Sequence, residues 1–274
     1  MSATQRLASW LGQRALRLPA LRRDGGTAQG EQRPVFFFHI PKTAGTSTVA
    51  ALRAMLRPDA VITERGVLSL ARVEKAVAAG LHGGQFIHGH PGHGVGAALY
   101  WRTRMVTLLR EPRAHIVSNY LFLRGDPANP HAEEAQRLGF SAFIRAHPYY
   151  AVFQAGSLCV GMERRPVSGT AEIVARLALI ESFLAGMDLV GTTERLAEFV
   201  TTLAALTGRK PPRLRHLRRG KGRAEEVARL REELAALERD PALAPLFAAE
   251  RAVYDCASRL AARRPRQSEA ITFT

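Results

Sequence analysis

The sequence predicts an α/β domain whose mainly parallel sheet carries helices on both faces. Three observations lead there: short apolar runs spaced along the first two thirds of the chain, helical periodicity between them, and Gly or Pro at the junctions. A chain of 274 residues, 46% hydrophobic, is long enough to bury one large core.

Residues 1–33 read as a basic, loose N-terminal extension, with Trp10, Leu11, Leu16, Leu18 and Leu21 among the five arginines of Met1 to Arg23 and a polar, Gly-containing link from Asp24 to Gln32. The same composition leaves open a weak contact with a membrane surface. The folded domain is expected over 34–262, followed by a loose tail at 263–274. It opens on Val35-Phe36-Phe37-Phe38-His39-Ile40, an apolar run that suits a buried strand. Pro41 to Gly45 make a turn, and Thr46 or Ser47 is placed to cap a helix that shows Val49, Leu52, Met55 and Leu56 on one face and stops at Pro58.

A second helix is expected over Leu68 to Ala79, ending at Gly80, before a short strand at Phe86-Ile87-His88. Arg104 to Leu109 read as a third strand, and Pro112 at a first helical position starts a helix to Arg124. Gly125 to Pro130 break the chain. The second half is mostly helical: Ile173, Leu177, Ile180 and Leu184 recur at one spacing, and a short strand is expected at Asp188–Gly191. Three further helices follow, carrying Leu196 to Leu203, Val227 to Leu237 (with Glu225 four residues before Arg229) and Leu243 to Leu260.

A net charge of +15 asks for an anionic partner, and nucleic acid, a membrane surface, a polyanionic glycan and a multiply phosphorylated nucleotide all fit that sign. No recognisable nucleic-acid-binding module appears, so nucleic acid is not expected as the partner. Cys159 and Cys256 lie far apart without ligand spacing, which argues against a disulfide framework. No apolar run approaches the ~20 residues of a membrane span, and the N-terminus lacks a signal-peptide core. A cytoplasmic location is the expectation; oligomeric state is not legible.

Chemistry concentrates at His39-Ile40-Pro41-Lys42-Thr43-Ala44-Gly45-Thr46-Ser47, between a strand and a helix. Backbone N–H groups from Thr43 to Ser47 and the helix N-terminus make an anion site; Lys42 adds a full charge, Thr46 and Ser47 add hydroxyls, and Gly45 permits close approach. This is not a Walker A loop, because the lysine precedes the only glycine by three residues. Arg110 follows the third strand at its carboxyl end, where ligands of open α/β sheets collect, and Ser118 lies about two helical turns on. Taken singly, Arg110 would more often be a structural ion-pair partner of Glu111 or another acid.

Together, "FFFHIPKTAGTS" and "LLREPRAHIVSNYLFLR" resemble the sulfotransferases that use 3′-phosphoadenosine 5′-phosphosulfate (PAPS), in particular the carbohydrate branch with heparan sulfate 2-O-sulfotransferase. Weaker likeness in "FIHGH", "LVGTTERL" and "LFAAERAVYDCASRL" extends it over most of Val35 to Leu260. The resemblance implies a three-layer α/β/α sulfotransferase fold with a P-loop-like phosphosulfate loop, PAPS as co-substrate, an acceptor hydroxyl, possibly on a glycan, and no metal. It implies that Lys42, Thr43, Ala44, Gly45, Thr46 and Ser47 bind the 5′-phosphosulfate, that Arg110 and Ser118 bind the 3′-phosphate, and that Lys42 stabilises charge on the bridging oxygen.

His88-Gly89-His90-Pro91-Gly92-His93 places three imidazoles in six residues, and an imidazole is the natural base for an acceptor hydroxyl near neutral pH. In the 2-O branch the second histidine of a His-Gly-His stretch resembles the base, which assigns that role to His90, with His88 beside it. Pro91-Gly92-His93 departs from that pattern.

Two alternatives stay open. His88, His90 and His93 could hold zinc in a hydrolase, and the chain could be a basic, non-catalytic binder of polyanions or nucleic acid. A formal dinucleotide fingerprint, Gly92-x-Gly94-x-x-Ala97 with Glu111 further on, is set aside because Pro91 and Arg110 do not suit it. The basic run Arg213–Arg223 is a mobile loop or a cover over an anionic ligand. Gln154 and Glu194 are given no chemical role.

Overall fold

The computed structural model describes residues 33–56, 61–213 and 224–262. The expectations for 1–32, for the stop at Pro58, for the basic run beyond Arg213 and for 263–274 lie outside the described residues.

Among the described residues, five strands form one sheet in the order β2-β3-β1-β4-β5, and every adjacent pair is parallel. They are β1 (Val35–Phe38), β2 (Val61–Leu68), β3 (Phe86–Pro91), β4 (Arg104–Leu109) and β5 (Leu189–Thr192). The α/β class expected from the sequence is the class observed. β1 is central and buried at all four positions, which is why it reads as an unbroken apolar run rather than an alternating one.

Alternation across β1 divides the core into two layers. Phe36 and Phe38 face one side with Ile87, Met105, Leu109 and Val190; Val35 and Phe37 face the other with Phe86, Val106 and Leu108. Phe36, Phe37 and Phe38 are each fully buried, and truncating any one to Ala is expected to cost ~3–5 kcal/mol.

Helix α1 (Gly45–Met55) covers the Val35/Phe37 side through Ala51 and Leu52, together with the later helix α10 (Leu196–Leu206). The Phe36/Phe38 side carries the other described helices: α2 (Leu70–Ala78), α3 (Val95–Leu99), α4 (Pro112–Gly125), α5 (Ala132–Leu138), α6 (Phe140–Ala146), α7 (Phe153–Met162), α8 (Thr170–Ala175), α9 (Leu177–Ala185), α11 (Ala224–Leu237) and α12 (Ala244–Ala262). Short 3-10 turns at Pro148–Val152 and Thr193–Arg195 join α6 to α7 and β5 to α10.

The connection that leaves β1 therefore packs on one face and the one that leaves β4 on the other. The carboxyl ends of β1 and β4 flank a switch point, the crevice where open α/β sheets take ligands.

Several local expectations need correction. Leu68 ends β2 instead of starting a helix, and α2 starts at Leu70, capped by Ser69 through Arg72 N–H at 3.3 Å. The repeat from Ile173 to Leu184 is broken at Arg176 into α8 and α9. Arg229 pairs with Glu233, at 3.9 Å. Helix α1 begins at Gly45, before either proposed cap; its N-cap is Ala44, and the buried face is Thr48, Ala51 and Leu52.

Candidate active site

The turn after β1 owes its shape to backbone strain. Lys42 and Ala44 both take the left-handed conformation, with φ of 68° and 61°, and they flank Thr43. An L-residue there costs ~1–2 kcal/mol, so the turn is held by its surroundings. Alternation of this kind turns successive N–H groups into one concavity, a nest for an anion.

The first intrahelical bond of α1 is Thr48 N–H to the Ala44 carbonyl, at 3.0 Å. Gly45, Thr46 and Ser47 precede it, so their N–H groups lie in the first turn, at the positive end of the helix. Thr43 does not share that role. It is fully buried, and its hydroxyl and N–H both donate to the Ile40 carbonyl, at 2.7 and 3.4 Å, which braces the turn from inside.

Gly45 is required for a steric reason. A Cβ placed there would lie 1.9 Å from Nε2 of His39, whose ring fills the space against the helix start. The imidazole of His39 is thus the floor of the cradle, a role the sequence reading did not see.

His39 also gathers the histidines of β3. Its Nδ1 shares a hydrogen bond with His88 Nε2 at 3.0 Å, and its ring centroid lies 4.8 Å from that of His88 and 4.5 Å from that of His90. Burial, then the neighbouring imidazoles His90 and His88 and the charge of Lys42, push the His39 pKa down to about 2. Burial and the charges of His90 and Arg53 push His88 down to about 4. Both rings are neutral at physiological pH.

His90 Nδ1 lies 2.9 Å from the His39 carbonyl oxygen. A carbonyl can only accept, so Nδ1 carries a proton, and the tautomer this selects in the neutral ring has its lone pair on Nε2. The zinc alternative loses its geometry here: His88 and His90 turn to His39, while His93 is exposed on the turn after β3. Gly92 and Gly94, the glycines of the formal dinucleotide pattern, are packing positions, where a Cβ would meet the Leu68 carbonyl at 2.9 Å and the Arg164 side chain at 2.7 Å.

Arg110 reaches the cradle from β4. Its Nη1 donates to the Lys42 carbonyl at 3.4 Å, so the two cations sit at adjacent strand ends. Burial lowers the Arg110 pKa, against the pull of Glu194. Glu111 is not its hydrogen-bonded partner: that carboxylate caps α4 through Ala114 N–H and takes Arg251, each at 2.8 Å.

The backbone of Arg110 is clamped by the buried amide of Gln154, which accepts from Arg110 N–H at 2.8 Å and donates to its carbonyl at 2.9 Å. Gln154 is held in turn by Glu250 of α12, whose carboxylate accepts from Gln154 N–H, Gln154 Nε2 and Ala155 N–H at 3.1, 2.9 and 3.0 Å. Complete burial pushes the Glu250 pKa up to about 7, in spite of those three donors.

Helix α4 lines the same side of the turn. His115 Nε2 donates to the Pro41 carbonyl at 2.9 Å, and the Phe122 ring lies 4.3 Å beneath Lys42 Nζ. Ser118 is three residues after His115 and four before Phe122, hence on that same helical face, and is half-buried. The described structure therefore brings Lys42, Gly45 to Ser47, Arg110, the α4 face bearing Ser118, and His90 to the carboxyl ends of neighbouring strands, with Thr43 buried behind them.

The fold is that of a layered α/β protein with a strained turn and a helix N-terminus at its switch point. No protein-family model matches the chain, and no curated protein matches it. Among solved structures, it is similar to the crystal structure of mouse sulfotransferase SULT7A1 complexed with PAP, at 11% identity and a TM-score of 0.39, over 92% of this chain and 80% of that chain.

Proposed function

We propose that the domain at 34–262 is a sulfotransferase that moves a sulfuryl group from PAPS to an acceptor hydroxyl, leaving adenosine 3′,5′-bisphosphate (PAP). The observation that supports this reading is the placement of Lys42 and Arg110 just beyond the ends of adjacent parallel strands, because one donor with phosphate at both ends of its ribose needs a cation for each end on the same side of the sheet.

In the proposed reaction the acceptor oxygen attacks sulfur from the side opposite the 5′-phosphate. The new S–O bond forms as the bridging S–O bond breaks, and the leaving oxygen gains negative charge. Lys42 and the first-turn N–H groups of Gly45, Thr46 and Ser47 meet that charge, and such preorganised donors are worth about 10²–10³ in rate each. The acceptor proton passes to Nε2 of His90, whose Nδ1–H is anchored on the His39 carbonyl. Arg110, with Ser118 beside it, takes the 3′-phosphate.

The acceptor we propose is a carbohydrate hydroxyl, supported by the likeness of His88-Gly89-His90 to the heparan 2-O branch. Incubation with radiolabelled PAPS and a panel of glycan, lipid and phenolic acceptors tests both levels. Transfer to a glycan, abolished by Lys42→Ala, is the expected result. Salt-sensitive polyanion binding with no transfer to any acceptor would instead establish the non-catalytic binder.

A further inference from the structure

A second cluster of imidazoles lies away from the crevice. His131 is the N-cap of α5, Glu134 lies in the first turn of that helix, and His147 follows α6. Among the described residues, these three bring one ligand atom each to within 4.8 Å of the others. His147 Nε2 is 2.8 Å and His131 Nδ1 is 3.8 Å from the same oxygen, Glu134 Oε2.

We propose that His131, Glu134 and His147 form a site for a single Zn2+ ion that fastens the start of α5 to the end of α6. Zinc takes imidazole nitrogen and carboxylate oxygen at ~2.0–2.2 Å, which sets neighbouring ligand atoms ~3.3 Å apart in a tetrahedron. The observed spacings bracket that value, so closure needs only small side-chain rotations. Two imidazoles with one carboxylate favour zinc over calcium or magnesium, which prefer all-oxygen sets.

The ligands are also pre-aimed. His131 N–H donates to Asn129 Oδ1 at 3.0 Å, which sets the turn before α5, and His147 N–H donates to the Phe143 carbonyl at 2.9 Å. The His147 ring lies 4.7 Å from Phe143, and the two imidazoles meet edge-on with centroids 4.8 Å apart. The side chains of His131, Glu134 and His147 are 39%, 36% and 24% exposed, so an ion can enter and a water can complete the tetrahedron. Arg137, 4.0 Å from the other Glu134 oxygen, leaves Oε2 to the imidazoles.

The full untagged chain, stripped with chelator, is titrated with ZnCl2 by calorimetry and thermal unfolding, and with CoCl2 by visible absorption. One equivalent of Zn2+ with micromolar or tighter affinity, a raised Tm, and the intense absorption of tetrahedral Co2+ are expected, with no response to Mg2+. His131→Ala and His147→Ala should each weaken Zn2+ binding by at least tenfold. Glu134→Gln, which keeps the size of the side chain, should do so with the circular dichroism of the folded chain unchanged. His93→Ala should leave binding intact. No zinc binding by the parent chain overturns the proposal, and so does zinc binding that survives all three ligand substitutions or is lost in His93→Ala. Neither result bears on sulfuryl transfer, which is read by a separate assay.

Discussion

The guanidinium of Arg110 donates to the backbone carbonyl of Lys42, 68 positions earlier in the chain. That long bond, at 3.4 Å, joins the end of β4 to the strained turn after β1. It places two positive side chains at one crevice with their backbones fixed independently: Lys42 by the nest, and Arg110 by the Gln154 amide and, behind it, Glu250.

The contact of Gly45 with His39 yields a double-mutant cycle. Gly45→Ala should destabilise the fold by ~1–3 kcal/mol, as overpacking does, because its methyl overlaps the imidazole. Adding His39→Ala removes the obstacle, so chemical denaturation of the four proteins should show a favourable coupling of at least ~1 kcal/mol. Additive effects would mean that the ring does not occupy that space.

Strain at Ala44 makes the opposite prediction. Ala44→Gly relieves a left-handed φ of 61° but loosens the unfolded chain, and the first effect is the larger. A net gain of ~0.5–1 kcal/mol in urea unfolding is expected. A loss would show that the turn is not left-handed at this residue.

His90→Asn tests the base. The side chain keeps a donor at the Nδ1 position for the His39 carbonyl and loses the basic nitrogen, so kcat should fall by ~10²–10⁴ while PAP affinity stays within twofold of the parent. Equal loss in PAP binding would recast His90 as part of the donor site.

Acid should unfold the domain early. His39, His88 and His115 have folded pKa values pushed down to about 2, 4 and 4, so below the ordinary histidine value of 6.5 the unfolded chain binds more protons and stability is lost as pH falls. Glu250 opposes this: raised from 4.5 to about 7, it holds a proton in the fold that the unfolded chain lacks between those values, and it gains stability on acidification. Three groups against one give a net uptake of roughly two protons on unfolding near pH 5, visible as the slope of unfolding free energy against pH. A flat profile from pH 6.5 to 4.5 would contradict the buried, neutral histidines.

What the sequence disclosed follows from where each signal resides. β1 and β4 were legible because strands buried on both faces are continuous apolar runs, and the positions of Lys42 and Arg110 just beyond strand ends were legible with them. β2 was missed: Gly66 interrupts it, and its register with β3 shifts between Thr63 and Val67, so no clean alternation remains. α7 was not singled out because it is apolar nearly all round. His39, Gln154 and Glu250 act through partners 49, 44 and 96 positions away, and no local period reports such pairing. A signal did exist for Gln154, a lone polar side chain inside the apolar stretch from Ala151 to Ala155.

The most direct measurement is calorimetric titration of the parent, Lys42→Ala and Arg110→Ala chains with PAP and with adenosine 5′-phosphate, which lacks the 3′-phosphate. Hydrogen bonds to a charged group are worth ~1.5–3 kcal/mol, so the parent should prefer PAP by about 10- to 150-fold. Arg110→Ala should erase that preference, and Lys42→Ala should weaken both ligands and leave the ratio unchanged. Equal affinity of the parent for the two nucleotides, or a preference that survives the loss of Arg110, would contradict the account.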